Sequence, residues 1–500
     1  MTIRTVVVFL MCSALNVWAQ QTNVLLIIAD DLGIESLAAF NDDSAASLPP
    51  TPTIDNIQSN GISFNRFYAY STCSPTRGSM MTGRYSFRTG VLSPSMGDYN
   101  LQPNDFTLPE ALIESGVISN HLAQIGKWHL GQTADSPNVE GGWPHFSGGL
   151  GGGVGAYTNW QKTVNGVTTN GYTTYATTDN VNDAITWIEQ RGNNSWFLWL
   201  AFNAPHTPLH RPPNHLHTYA GTPNNRRKYE AMVEAMDTEM GNLLAEVDLS
   251  ATTVIFMGDN GTPGNVLQPP LSSGHGKGSI YDGGIRVPLL VYGAAVSNGL
   301  EGTSYDGVIH SVDMYSTILE LFGVSAAEIV PEELVFDSHS FASVLRGETY
   351  VRDVADIMAL NALNEPYERA LVEGDFKYID FGNGTKEFYN VGADITETNN
   401  LLDGVLSPPE QTAYESLTNK LETYINIPHC YSTYMTNGTF NVETGWFDNE
   451  GFTLHRTDNL VSNDWNVVAG QEFEDNGEAA LILRDPAPPA SNAFYRVTTP

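Results

Sequence analysis

The sequence predicts an α/β fold: a large mixed sheet flanked by helices, then a smaller α+β subdomain, then a short β-rich module. Three observations lead there. Several apolar runs are unbroken rather than alternating, which marks strands buried on both faces. Amphipathic helical patterns lie between those runs. Composition also shifts near residue 325 and near residue 430, each time toward short strand-like segments.

In chain order, Asn23-Val24-Leu25-Leu26-Ile27-Ile28-Ala29 is the first run, and it ends in Asp30-Asp31. Leu108 to Ser115 reads as a helix entered through Thr107, Pro109 and Glu110. A second helical pattern spans Tyr175 to Gln190, followed by the apolar run Trp196-Phe197-Leu198-Trp199-Leu200-Ala201. A third spans Tyr229 to Val247, followed by Thr252-Thr253-Val254-Ile255-Phe256-Met257 and then Val287-Pro288-Leu289-Leu290-Val291. Val308 to Phe322 is again helical in pattern. Such runs suit a parallel sheet with helices on either side, where polar residues just past the strand ends build the site. Asp30-Asp31 and Asp259-Asn260 occupy such positions. Ala370-Leu371-Val372 and Phe376-Lys377-Tyr378-Ile379 begin the second unit, which closes with a helix from about Pro408 to Ile425. Phe452 to His455, Trp465 to Val468, Ala480 to Leu483 and Phe494 to Val497 are the short β runs of the third. The expected units are 20–325, 326–428 and 429–500, after a leader of residues 1–19. The last unit suits either carbohydrate attachment or a stabilising cap.

The chain carries 56 acidic residues against 23 basic ones. That balance argues against nucleic acid, which needs clustered Lys and Arg. Any positive substrate site must therefore be local. Arg4, the apolar stretch Val6 to Leu15 and Val17-Trp18-Ala19 read as a secretory signal cleaved before Gln20, so a secreted or periplasmic location is expected. The apolar stretch is too short to span a bilayer, and no later segment is long enough. The triplets at Asn193, Asn383 and Asn437 match the glycosylation pattern.

Cys73-Ser74-Pro75-Thr76-Arg77 is the most specific stretch of the chain, and it runs on to Thr82-Gly83-Arg84. Taken alone it also suits a buried free cysteine before a turn. Together the two parts resemble the signature of the type I sulfatases, Cys-x-Pro-x-Arg with a downstream Thr-Gly-Arg. The resemblance implies an alkaline-phosphatase-like fold and oxidation of Cys73 to formylglycine by a maturation enzyme. A hydrated aldehyde offers two hydroxyls on one carbon, one to attack sulfur and one to collapse the adduct. With Cys12 in the leader and Cys73 oxidised, Cys430 is left alone and no internal disulfide is expected.

Five further segments match the same pattern. Asp30, Asp31, Asp259 and Asn260 offer oxygen ligands only, which suits one hard cation, calcium ahead of magnesium, with Cys73 beside it. Either pair alone equally suits a helix N-cap. Gly126-Lys127-Trp128-His129-Leu130-Gly131 resembles the family's second signature. Lys127 and His129, two apart in an extended segment, are expected to point to one side. The resemblance gives Lys127 a sulfate oxygen, His129 the formylglycine, and Arg77 the aldehyde hydrate and metal shell. His206, in Ala204-Pro205-His206-Thr207-Pro208, matches the residue facing the bridging oxygen, and Lys277 shares that oxygen with it. A sugar alkoxide leaves poorly, so a proton donor is needed there.

Weaker features stay open. Gly148 to Gly155 lacks the Lys-Ser/Thr of a phosphate loop and reads as a mobile rim. His210, Arg211, His215 and His217, with Trp143, His145 and Trp160, suit a sugar subsite or plain packing. Arg226-Arg227-Lys228 suits an anionic polymer or a solvated helix start. The leading expectation is a sulfatase acting on a sulfated carbohydrate. The alternatives are an arylsulfatase, a phosphodiesterase or phosphonate monoester hydrolase of the same superfamily, or a non-catalytic glycan-binding protein.

Overall fold

The computed structural model describes residues 22–94, 100–102, 105–221, 223–332, 334–350, 357–361 and 368–425, and the strand segments 430–436, 439–445, 453–457, 466–468, 472–475, 480–485 and 494–498. The proposed leader, residues 1–19, lies outside them.

The first strand, Asn23–Ala29, is buried along its whole length. Its side chains alternate between two cores. Val24, Leu26 and Ile28 enter one, while Leu25, Ile27 and Ala29 enter the other. A strand covered on both faces has no polar side, which is why its sequence shows no alternation. Burying the five side chains from Val24 to Ile28 contributes on the order of 10 kcal/mol, an upper figure because an unfolded chain already hides some surface.

This strand is near the centre of a ten-stranded sheet. From edge to edge the order is Thr303–Tyr305, Ile62–Phe64, Leu289–Gly293, Thr252–Gly258, Asn23–Ala29, Trp196–Ala201, Leu122–Lys127, His145–Gly149, Trp160–Val164 and Val167–Tyr172. The four central strands from Thr252–Gly258 to Leu122–Lys127 run parallel. Leu289–Gly293 instead runs antiparallel to Thr252–Gly258. An apolar run fixes burial but not direction, so the sheet is mixed where the run alone suggested a parallel neighbour.

Helices cover both faces. Pro52–Asn60, Ala176–Glu189 and Asn225–Ala245 pack on one side through Ile57, Trp187 and Met236 among others. Cys73–Thr82, Leu108–Glu114 and Met314–Leu321 pack on the other through Met80, Leu112 and Ile318. Thr107 and Glu110 form a reciprocal capping box at the start of Leu108–Glu114. The pattern from Val308 divides into a two-residue strand, Ile309–His310, a 3-10 turn and only then the helix. Leu122–Lys127 was hidden from the apolar-run reading by Gln124 and Lys127. Gln124 is buried because its amide donates to the Lys127 carbonyl at 3.0 Å.

Beyond residue 357 a four-stranded antiparallel sheet forms from Ile357–Asn361, Glu368–Glu373, Phe376–Asp380 and Lys386–Asn390. Leu417 and Leu421 of the helix Pro408–Ile425 cover one face, packing with Leu371, Tyr378 and Phe388. Ala370, Val372 and Ile379 on the other face pack against Tyr68, Ile280 and Ile285 of the larger unit. After residue 430 the described strands form a four-stranded and a three-stranded sheet. Among the described residues no helix is long and apolar enough to cross a membrane.

Candidate active site

Cys73 opens a ten-residue helix, Cys73–Thr82, in which every residue is buried. Arg77 is one turn along, so both side chains lie on one helix face. The helix stops at Gly83 in a left-handed conformation, φ 66°. Arg84 turns elsewhere, to Asp105 at 3.2 Å. The Thr-Gly-Arg part of the signature therefore terminates the helix rather than lining the site.

The helix points its first turn at the ends of the four parallel strands. Asp30 and Asp31 follow Asn23–Ala29 directly, and Asp259 and Asn260 follow Thr252–Gly258. Neither pair caps a helix: the 3-10 turn after Asp31 is capped by Gly33 without a side-chain bond. Asp31 takes a left-handed φ of 72°, which turns its backbone N–H toward Asp259 Oδ1 at 3.1 Å. Arg77 binds Asp259 Oδ2 through Nη2 at 2.8 Å and Nε at 3.2 Å, and donates Nη1 to the Lys127 carbonyl at 2.9 Å. Lys127 Nζ is 2.7 Å from Asp30 Oδ2, with both side chains fully buried. Lys277 pairs with Asp31 Oδ1, which also accepts from Asn260 Nδ2 at 2.8 Å. His129 Nδ1 is 3.3 Å from Cys73 Sγ. His206 Nε2 is 3.8 Å from Asp31 Oδ2.

All ten residues named from the sequence thus converge on one pocket, although Cys73 and Lys277 are far apart in the chain. The reason given for Lys127 and His129 needs correction. The strand ends at Lys127, and His129 has a left-handed φ of 58°. They meet at the site because the chain turns, not because an extended segment keeps them on one side.

Electrostatics follow from the packing. Burial raises the Cys73 thiol, so it stays protonated and is a poor nucleophile as it stands. Burial alone would also raise Asp30, but Lys127, His206, Arg77 and Lys277 outweigh it and hold its carboxyl far below the usual range. Asp259 is pushed up, by burial and then by the charge of Asp30. Burial, with Lys127 and Arg77 next, holds His129 well below its ordinary value, so its ring is neutral.

The donor set fits a divalent cation. One atom each from Asp30, Cys73 and Asp259 lie within 4.8 Å of one another, as do atoms of Asp30, Asp31 and His206. Asp30 Oδ1 and Asn260 Oδ1 are buried with no hydrogen-bond partner. Buried orphaned oxygens beside carboxylates are what a hard cation satisfies.

Other residues belong to the site without having been singled out. Thr76 Oγ1 donates to the Asp259 carbonyl at 2.7 Å, and Ser74 Oγ to the His129 carbonyl at 3.1 Å. The glycine run is not a detached rim. His145–Gly149 is a strand of the main sheet, and the next glycines roof the two histidines. A Cβ on Gly152 would lie 2.5 Å from His129 Cε1, and one on Gly153 would lie 3.1 Å from His206 Cε1. A side chain at Gly152 would force the His129 ring to shift, and one at Gly153 would crowd the His206 ring.

The segment carrying Lys277 is braced by the second sheet. Tyr281 donates to Glu387 at 2.8 Å and stacks on His275 at 3.9 Å. Lys377 Nζ is 3.0 Å from Asp282 Oδ1 and 2.8 Å from Glu397 Oε1, all three side chains at most 1% exposed. Glu397 Oε2 accepts from the Asp282 backbone N–H at 2.5 Å.

Of the weaker features, Trp143 packs in the core against Phe197 and Trp199, and Trp160 is likewise buried. His145 stacks on Trp187. His217 is buried and bonded to the Pro212 carbonyl. Arg226 and Arg227 both pair with buried Glu230. His210 and Arg211 do line a cleft of about 660 Å³ beside the His206 loop, with Tyr157, Tyr175, Pro208 and Pro212 to Asn214.

The α/β fold and this constellation define the centre of a sulfuric ester hydrolase at the ends of parallel strands. The chain belongs to the sulfatase family, whose family model matches residues 22–324. It is 28% identical over 334 residues to Arylsulfatase J of Mus musculus, covering 60% of this chain and 52% of that one. The chain thus spans about half the length of that relative. It is 26% identical over 377 residues to the N-acetylgalactosamine-6-sulfatase of Canis lupus familiaris, covering 66% of each. The crystal structure of Ps i-CgsB in complex with k-i-k-neocarrahexaose has the same fold, with a TM-score of 0.69 at 24% identity, covering 81% of this chain and 93% of that one.

Proposed function

We propose that this chain is a secreted enzyme hydrolysing sulfate monoesters, with a sulfated carbohydrate as substrate. One observation carries the reading: two lysines, two histidines and an arginine face a buried cysteine and three carboxylates in a single pocket. Such convergence suits a tetrahedral sulfate ester, whose negative charge is joined by that of the attacking oxygen as the new bond forms. The canine relative's name refers to a sulfated amino sugar, which favours a carbohydrate here.

Cys73, oxidised to formylglycine by a maturation enzyme, supplies the nucleophilic hydroxyl and a second hydroxyl for release of sulfate. Asp30, Asp31, Asp259 and Asn260, beside residue 73, would hold the cation, calcium ahead of magnesium, and bound there it supplies positive charge against the sulfate oxygens. The remaining groups act directly. Lys127 and Lys277 bind sulfate oxygens. His129, neutral and against residue 73, receives the proton when the sulfated residue breaks down. His206 gives a proton from Nε2 to the leaving oxygen, a contribution of about 10²–10⁴-fold for a poor leaving group. Arg77 keeps Asp259 and the Lys127 backbone in place. Residues 326–428 brace this centre as a C-terminal subdomain, and residues 429–500 form an accessory β module.

The test is a panel of sulfated glycans read out by free sulfate, on protein whose oxidation at Cys73 is verified by mass spectrometry. Phosphate diesters and phosphonate esters are run in parallel. Sulfate release with oxidised residue 73 supports the reading. A large preference for phosphate esters, or an intact cysteine in active protein, refutes it.

A further inference from the structure

Tyr157 belongs to no motif, yet it closes the turn that carries His206. Its hydroxyl lies 2.5 Å from the Asn203 carbonyl oxygen and 2.8 Å from the His206 carbonyl oxygen. A phenol has one proton to donate, and both acceptors are carbonyls, so that proton is shared between the two ends of a four-residue turn. The same turn is bonded internally from His206 N–H to the Asn203 carbonyl at 3.0 Å. The phenol is fixed as well. Tyr157 is 3% exposed, and its ring lies 4.3 Å from the His210 ring and 5.7 Å from that of Tyr175. Its carbonyl accepts from the Ala176 N–H at 2.8 Å, at the start of the helix Ala176–Glu189. Burial first, then Tyr175, Asp30 and Asp31, raises the phenol well above its ordinary value, so it remains a donor.

The imidazole is held on two further sides. His206 Nδ1 is 2.8 Å from the Thr207 carbonyl, which only accepts, so Nδ1 carries the hydrogen there. Gly153 lies beside the ring, where a Cβ would be 3.1 Å from both Cε1 and Nδ1. The backbone of residues 203–206 sets how far Nε2 reaches toward the reacting ester, and the Tyr157 hydroxyl ties both of its ends.

We propose that Tyr157 is a positioning residue for proton donation: its hydroxyl locks the Asn203–His206 turn so that His206 Nε2 is presented to the leaving oxygen. This rests on His206 being the proton donor. The consequence is selective. Loss of the hydroxyl should slow esters whose alcohol needs a proton, and spare those whose alcohol leaves unaided.

The experiment compares Tyr157→Phe, which keeps the ring and its stacking, with wild type, His206→Ala and Tyr175→Phe. Tyr175 meets His210 but not the carbonyls of the turn. Two readouts are used. Amide hydrogen exchange over residues 202–207 needs no substrate, and it should speed up about tenfold in Tyr157→Phe and not in Tyr175→Phe, the order expected for one buried hydrogen bond. Turnover of phenyl sulfate should fall about tenfold in Tyr157→Phe while 4-nitrophenyl sulfate changes less than about twofold. Unchanged exchange overturns the inference, and so does an equal loss on both esters in Tyr157→Phe when His206→Ala discriminates between them. If His206→Ala itself slows both esters equally, the proton-donor reading of His206 fails instead, and the exchange result alone then decides whether Tyr157 holds the turn.

Discussion

Replacing Glu397 with Gln tests the charge balance beneath the Lys277 segment. Two carboxylates, Asp282 and Glu397, share one ammonium, Lys377, in a site almost closed to water. Asp282 also meets Arg286 Nη1 at 3.4 Å, so what opposes ionisation of Glu397 is its own burial and the neighbouring Asp282 charge. Burial, and then Asp282, accordingly push Glu397 up to about 7 against the pull of Lys377, from an ordinary value of 4.5. Between those two values the folded chain keeps a proton that the unfolded chain has lost. Stability from this group is therefore complete below about pH 4.5 and disappears as pH rises through about 7. At about 1.4 kcal/mol per pH unit, that interval is worth roughly 3 kcal/mol. Gln is neutral at every pH and of the same shape, so it removes the titration and little else. Urea unfolding of both proteins at about pH 5 and about pH 8 measures it. The two proteins should be nearly equal at the lower pH, and wild type should fall below the variant by roughly 3 kcal/mol at the higher one. A gap that stays constant across the two conditions refutes the reasoning, because Glu397 would then be ionised throughout.

Four other outcomes are expected. Cys73→Ala should abolish sulfate release while changing the unfolding free energy from urea titration by no more than about 1 kcal/mol, since only one small buried atom is lost. Gly152→Ala should lower kcat about a hundredfold, because its Cβ, 2.5 Å from His129 Cε1, forces that ring aside; kinetics on any accepted ester check this. Arg77→Lys keeps the charge but cannot reproduce the fork that joins Asp259 Oδ2 to the Lys127 carbonyl. It should cost about 3 kcal/mol in urea unfolding. A chelator should abolish turnover and lower the melting temperature, and added calcium should restore both.

What could be read from the sequence depended on how each residue does its work. Asn23–Ala29 was legible to its last residue, because a strand buried on both faces leaves an unbroken apolar run. Leu289–Gly293 was legible as a strand but not as an antiparallel one, since strand direction depends on connections rather than side chains. Leu122–Lys127 was missed because its polar residues are buried by specific bonds that periodicity cannot see. Among site residues, those with a charge or a ring declared themselves through motifs. His129 was named, but its left-handed turn was not foreseen. Gly152 and Gly153 were read only as part of a mobile rim because their contribution is the absence of atoms, and Tyr157 was passed over because its contribution is to backbone carbonyls remote in sequence. Trp143 and Trp160 suited either a sugar subsite or plain packing and are core, a distinction that composition does not encode.

The bare backbone over His129 and His206 limits how this enzyme could be altered. A wall without side chains has nothing left to trim, so any substitution there can only narrow the entrance. Room for a bulkier ester must be found on the far flank, at Pro208 and His210 to Asn214, where replaceable side chains face an open cleft. Engineering for broader scope belongs on that flank, and engineering for exclusion belongs on the glycines.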